Sequence, residues 1–489
     1  MPAASPAILP HPGRPYFSCT CRQPARAAVA VQRELVQQGG RAMVPKGFVQ
    51  VRGRELTVDG KAVRLRGLNY GNWMLVEHYM HGLPWVEYQM RAVMQRTLGP
   101  ERARAYWDTF MDTFVSDADF AFIRDAGFNL LRLPFDYRHF GGDRTCTSYG
   151  ERGFDYFDRF IELCRHHGLY VLLDMHAAPG VQARDWNAGS AFGESFFWDH
   201  DEFWDRMASL WERIAARYAN EPYVCGYNVM CEPVAPSNEL FNRFNLRMIE
   251  AIRRVDPTHL IVLESNLWGK DIASFGDEVF ADPQVIPSPH FYPRPVEQFD
   301  QLTTPTDDPA PPRDIGAALR TQFASYHDVE RIPRPVLVGE FGVSRWDTDD
   351  TLKRREQFAG TVDMLEQLGF HWCMWAYKDL GTLGIMRPRA DTPWRRFLAR
   401  PDVQALRTAF GEEIKPLVQR LAARVPQIDS EDTALLTTQT RHHWDALVLP
   451  RIVSILDSYS TDELRAMASS FAFEHCECFE EKLRLVRPS

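Results

Sequence analysis

Hydrophobic and polar positions along this chain follow two periods in turn. Stretches with apolar residues three to four apart are each followed by a short, nearly continuous apolar run, which is the pattern of an amphipathic helix followed by a strand buried on both faces. Residues 117–126 read as a helix stopped at Gly127 and 129–135 as a strand; 156–167 read as a helix stopped at Gly168 and 169–176 as a strand. The alternation continues with helices at 202–218 and 238–255 and strands from Val224, at 260–265 and at 285–292. It closes with strands at 336–341 and 371–377, separated by a helix around 353–368. With 65–70 as the first strand, about eight strands alternate with helices, which predicts an α/β protein of the (β/α)8, or TIM, barrel type. An open doubly wound sheet is the alternative, but no glycine-rich phosphate loop follows the first strand.

Three segments fall outside the repeat. Before it, Phe48-Val-Gln-Val and Ala62-Val-Arg-Leu flank the turn pair Asp59-Gly60 and predict a short N-terminal hairpin. Residues 76–117 are aromatic, helical in pattern and longer than a strand-to-helix link requires, so they are expected to form an insertion over one barrel mouth, with Trp73, Glu77, His78 and Trp85 facing the site. After Leu398 the strand pattern stops, and 403–423, 441–456 and 461–485 show helical spacing. The expected organisation is a leader-like or disordered segment at 1–47, a barrel at 48–398 with a Pro-rich loop at 301–314, and a helical C-terminal extension at 399–489.

Composition narrows the class of protein. The 489 residues are 45% hydrophobic and 12% aromatic, which suits a large filled core, and the net charge of −9 with no dense basic face argues against nucleic acid as a partner. No apolar run reaches the roughly 20 residues of a membrane helix. Residues 1–42 hold five Arg and one acid, Glu34, without an apolar secretory core; a transit sequence, a disordered tail and an upstream start before Met43 are the readings open for them. Nine cysteines, an odd number without repeated spacing, predict free thiols and a reducing, cytoplasmic location. Cys19-Thr-Cys21 and Cys476-Glu-Cys478 beside His475 lack the second ligand pair of a zinc site.

Candidate chemistry sits where apolar runs meet acids. Residues 224–233, Val-Cys-Gly-Tyr-Asn-Val-Met-Cys-Glu-Pro, and 336–342, Val-Leu-Val-Gly-Glu-Phe-Gly, each drive a buried strand into one carboxylate, Glu232 and Glu340. A pair of carboxyl groups at neighbouring strand ends can divide acid and base roles, as glycosidic bond cleavage requires. The other polar residues at the C-terminal strand ends are Arg132, His176, Cys231, His290, Tyr292 and Trp375.

Taken together, these residues in this order resemble glycoside hydrolase family 5, over roughly residues 48 to 398. The resemblance implies that Glu232 is the acid/base after the fourth strand, Glu340 the nucleophile after the seventh, and the reaction a retaining hydrolysis. It further implies that Arg132 and Tyr292 hold the nucleophile charged, that His290 orients the acid/base, that His176 faces the reacting sugar, and that Trp375 forms the floor beneath it. Trp186, Trp268 and Trp346 lie on strand-to-helix loops as possible sugar platforms. One position departs from the family: Cys231 stands where an Asn normally bonds the sugar 2-hydroxyl, and a thiol is a poor substitute. Asn187, Asn228, Asn266 or a water could take that contact. The expected function is a retaining β-glycosidase acting on a small or amphiphilic glycoside, with a carbohydrate-binding pseudoenzyme as the alternative. A carbohydrate is the expected partner, and neither cofactor nor metal is expected, because two carboxylates suffice.

Overall fold

The computed structural model describes residues 47–141, 150–293, 315–343, 351–381, 383–425 and 427–488. The leader-like segment, the 301–314 loop, Trp346, Cys19 and Cys21 lie outside them. Nine parallel strand segments form the main sheet: β4 (Arg66–Asn69), β5 (Leu130–Asp136), β6 (Tyr170–Ala177), β7 (Val224–Asn228), β8 (Leu260–Glu264), β9 (Val285–Ser288), β10 (His290–Phe291), β11 (Leu337–Phe341) and β12 (His371–Met374). Neighbours run in chain order from β4 to β9, and the other edge runs β4, β12, β11, β10. The two free edges, β9 and β10, are consecutive in sequence and separated only by Pro289. A proline cannot donate to a ladder, so the strand is interrupted there, yet Gly339 N–H donates to Pro289 O at 3.1 Å and carries the sheet across. The nine segments are thus eight staves of a closed barrel, as the alternation predicts.

Every residue of β5, β6, β7, β8 and β11 is buried, as expected for strands covered on one face by helices and on the other by the barrel interior. The helices are set locally. Ser116 and Asp119 form a reciprocal capping box at the start of Asp117–Asp125, and Arg152–His167 ends on Gly168 in the left-handed region.

The N-terminal unit differs from expectation. Three short strands are present, β1 (Gln50–Arg52), β2 (Glu55–Val58) and β3 (Lys61–Val63). The turn at Asp59-Gly60, with φ of 50° and 75°, joins β2 to β3, and the 48–51 stretch pairs with β2 rather than with 62–65. Its Val49, Val51, Leu56 and Val58 share one apolar cluster with Leu65, Leu130, Tyr170 and Leu260 at the strand starts, so this unit stoppers the N-terminal end of the barrel.

The insertion and the region after 398 pack together. Glu87–Leu98 lies against Ser430–Leu456, and Pro100–Phe114 lies against Thr461–Ala468, with Arg102 paired to Asp457 at 2.7 Å. Residues 461–485 are not helical throughout. After Ala468 come two short 3-10 turns and then β14 (Cys476–Cys478), which pairs antiparallel with β13 (Met386–Pro388) before a last helix, Glu480–Val486. Among the described residues no helix is long and apolar enough to cross a membrane.

Candidate active site

The C-terminal strand ends converge on Arg132, which is wholly buried on β5. Its Nη1 donates to Glu340 Oε1 and to Asn69 Oδ1, both at 2.7 Å, and its Nη2 to Glu264 Oε1 at 2.7 Å. Asp174 Oδ2 lies 3.0 Å from Nη2, and Nε donates to Asn228 Oδ1 at 2.9 Å. One guanidinium therefore serves three buried carboxylates. A charge taken out of water this completely is tolerated only when every partner is in place. Tyr292 Oη donates to the second oxygen of Glu340 at 2.7 Å, so both oxygens of that carboxylate are held.

Glu232 leaves β7 with φ of 46°, a left-handed conformation uncommon for a side-chain-bearing residue, just before Pro233. Its backbone N–H donates to Glu264 Oε2 at 2.6 Å, which fixes this turn. Its carboxylate receives Asn187 Nδ2 on Oε2 at 2.6 Å and contacts His290 Nδ1 through Oε1 at 3.0 Å. The same Nδ1 is 3.7 Å from Glu340 Oε2, and the other ring nitrogen is 3.2 Å from Glu264 Oε2. Burial disfavours charge on His290, but Glu264 and Glu340 outweigh it and raise its pKa well above the usual imidazole value. Burial likewise works against an ionised Glu264, but His290 and Arg132 overcome it and hold that carboxyl at about 2.

The opposite wall is aromatic. His176 stacks on Trp375 with ring centroids 5.3 Å apart, and its Nδ1 is 2.8 Å from Asp174 Oδ2. Burial opposes its charge, but Asp174 and then Glu340 raise its pKa above the ordinary value. Trp375 Nε1 donates to Tyr79 Oη at 2.6 Å, and Glu77 Oε1 lies 3.8 Å from His176 Nε2, so the insertion reaches into the site. Cys231 is fully buried, with Sγ 3.6 Å from His176 Nε2 and 3.8 Å from Glu340 Oε1. Burial first, then the surrounding carboxylates, push its thiol pKa far up.

All eight residues singled out from the sequence, Arg132, His176, Cys231, Glu232, His290, Tyr292, Glu340 and Trp375, lie in this one network. Of the flanking expectations, Glu77 is in it, but Trp73 is core, with Nε1 bonded to Met111 O, and Trp85 is tied to Ala191 O. His78 packs edge-on against Trp186, 4.8 Å between centroids, while Trp268 bonds Asp185 Oδ2 at 2.7 Å. Among the asparagines, Asn228 is engaged with Arg132 and Asn266 with the backbone of Ala235, which leaves Asn187 facing the Glu232 carboxylate. Sequence reasoning missed Asp174, Glu264 and Asn69. Glu264 carried the same signal that singled out Glu232 and Glu340, an apolar run, Leu-Ile-Val-Leu, ending in an acid at a strand terminus. Asp174 lies two residues before His176 and so on the same side of β6.

Residues 95–381 match the family described as Cellulase (glycosyl hydrolase family 5). A beta-xylosidase of Phanerodontia chrysosporium is 31% identical over 463 residues, 88% of this chain and 95% of that protein. Endoglucanase C of Acetivibrio thermocellus is 31% identical over 186 residues, 37% of this chain and about half, 51%, of its own length. Among solved structures, endoglucanase Cel5A of Thermotoga maritima is similar over 66% of this chain and 91% of its own, at 19% identity and a TM-score of 0.46. With its profile match spanning more than half the chain and a relative aligned nearly end to end, the protein belongs to glycoside hydrolase family 5.

Proposed function

We propose that the protein is a retaining β-glycosidase in which Glu340 is the nucleophile and Glu232 the acid/base. The observation that carries this is the single His290 Nδ1 set between the two carboxylates, 3.0 Å from Glu232 and 3.7 Å from Glu340. The two contacting oxygens can be no farther apart than the sum of those distances. A separation of about 5 Å, which a direct attack needs, fits within that bound, whereas most of the ~6.5–9.5 Å range that leaves room for a water between acid and base does not.

In this reading Glu340, held by Arg132 and Tyr292, attacks the anomeric carbon while the Glu232 proton passes to the departing oxygen. The glycosyl ester of Glu340 is then hydrolysed as Glu232 takes a proton from the incoming water. Trp375, stacked on His176, offers the apolar floor for a pyranose C–H face. Glu77 and Tyr79 bring the insertion to the same end of the site, which supports action on a small or amphiphilic glycoside with a single sugar bound there. The similarity over 88% of this chain to a protein named beta-xylosidase makes β-xylosides the first sugars to test. The cysteines among the described residues are free thiols, which supports a reducing compartment such as the cytoplasm.

The test is a panel of aryl β-glycosides together with 2-fluoro mechanism-based inhibitors, using wild type, Glu340→Ala and Cys231→Asn. Expected are hydrolysis with retained anomeric configuration, a covalent adduct on Glu340, loss of turnover by about 10³-fold or more in Glu340→Ala, and an altered sugar preference in Cys231→Asn. Complete inertness with no labelled Glu340, alongside measurable sugar binding, would replace the enzyme with a carbohydrate-binding descendant, the reading that the thiol at 231 favours.

A further inference from the structure

Cys231 adds to the residues around it a sulfur donor that sugar hydrolysis does not require. The ligand atoms of Cys231, His290 and Glu340 all lie within 4.8 Å of one another, and all three residues are buried. Sγ of Cys231 is 3.8 Å from Glu340 Oε1, and Nδ1 of His290 is 3.7 Å from Glu340 Oε2. In a tetrahedral zinc site, with bonds of about 2.3 Å to sulfur and 2.0–2.1 Å to nitrogen or oxygen, neighbouring donors sit about 3.5 Å apart. Each of these two separations exceeds that by only a few tenths of an ångström, and because they end on different oxygens of Glu340 the carboxylate would hold the cation through both oxygens.

Charge and orientation fit as well. Glu264, itself fully buried, stands 3.2 Å from the Nε2 of His290. A carboxylate on the far nitrogen is the outer partner that aims a ligating imidazole, leaving Nδ1 for the metal. Glu232 Oε1, 3.0 Å from Nδ1, is placed to fill a fourth position. One sulfur, one imidazole and carboxylate oxygens are the mixed donors that borderline cations such as Zn²⁺ or Co²⁺ accept, and that Mg²⁺ or Ca²⁺ do not. An amide at position 231 would supply no such sulfur.

We propose that Cys231, His290 and Glu340 form an inhibitory binding site for a thiophilic divalent cation, Zn²⁺ being the type. Binding replaces the thiol proton of Cys231 and the Nδ1 proton of His290, both released to solvent, and forms metal–sulfur and metal–nitrogen bonds. The cation then occupies the space between Glu232 and Glu340, so a glycoside and the metal exclude each other if those residues act as proposed above. The binding itself stands on the donor geometry alone.

The experiment is a titration of the full chain with Co²⁺ in a phosphine reductant, read by the thiolate-to-cobalt charge-transfer absorption, which needs no turnover. One equivalent is expected to raise the band and Zn²⁺ to abolish it. Cys231→Ser should lose it with unchanged circular dichroism, Glu264→Gln should weaken Co²⁺ binding by about 10–100-fold, and Cys478→Ser should keep it. Absence of the band in wild type, or its persistence in Cys231→Ser, overturns the proposal. If Cys231→Ser does not fold, cadmium NMR of the wild type decides. A shift for one sulfur with nitrogen and oxygen donors supports the site, and a shift for two sulfurs or for oxygen alone overturns it.

Discussion

Glu77 is a carboxyl that the fold holds at a cost, and the cost has a sign that can be measured. It is brought into the site by the insertion, is 5% exposed, and faces the His176 ring at 3.8 Å. Burial is the main cause that raises its pKa from 4.5 to about 7; His176 and Tyr79 partly oppose this, while Glu340 and Glu232 add to it. In the unfolded chain the group ionises near 4.5, so between that pH and about 7 the folded state binds more protons, and stability falls as pH rises. At about 1.4 kcal/mol per pKa unit, ionising this one side chain costs roughly 3 kcal/mol. Glu77→Gln keeps the shape and removes the ionisation. Urea unfolding followed by tryptophan fluorescence, for wild type and variant at pH 5 and pH 8, gives a double difference in which every group shared by the two proteins cancels to first order. The variant should gain about 2.5 kcal/mol relative to wild type on going from pH 5 to pH 8, because part of the unfolded-state ionisation is already complete at pH 5, with unchanged m-values. An equal stability difference at both pH values would refute the reasoning and show that Glu77 reaches water in solution.

Two further outcomes follow from the same network. Glu264→Gln should act with the opposite sign: its carboxyl is held at about 2, so the stability it contributes is present above 4.5 and lost as pH falls through about 2. Removing one partner of such a buried pair costs about 3–5 kcal/mol at neutral pH, and a loss under 1 kcal/mol by urea denaturation would show that water replaces the carboxylate. Gly339→Ala places a Cβ 2.6 Å from Ser288 Oγ and 3.0 Å from His290 Nε2. Overpacking of this kind costs about 1–3 kcal/mol, and displacement of His290 should lower kcat/KM on the best aryl glycoside by at least tenfold; unchanged kinetics would remove His290 from the role given to it.

The sequence by itself determined the parts of this protein that depend on local periodicity. Helix and strand alternation, the Gly127 and Gly168 stops and the Ser116 cap all act within a few residues, and a strand buried on both faces must be apolar throughout. Acids at the ends of such strands stand out for the same reason, because a buried charge is tolerated only with a partner. That legibility brought Glu232 and Glu340 forward, the other six came from their places at the strand ends, and the resemblance that the eight carry together supplied the roles expected of them.

Only the tertiary structure decided what each acid meets. Arg132 joins Glu340 across 208 residues, Asn69 across 63 and Glu264 across 132, and no local pattern encodes those pairings. Glu264 was as visible as Glu340, but its task of receiving the Glu232 N–H exists only once β7 and β8 lie side by side. The same holds where segments meet late. The barrel closes through a strand broken at Pro289, the 48–51 stretch pairs with β2, and residues 476–478 leave a helical pattern to pair with Met386–Pro388. A strand's partner and a buried charge's counter-ion are set by packing free energy, which is a property of the whole fold and not of any window of the chain.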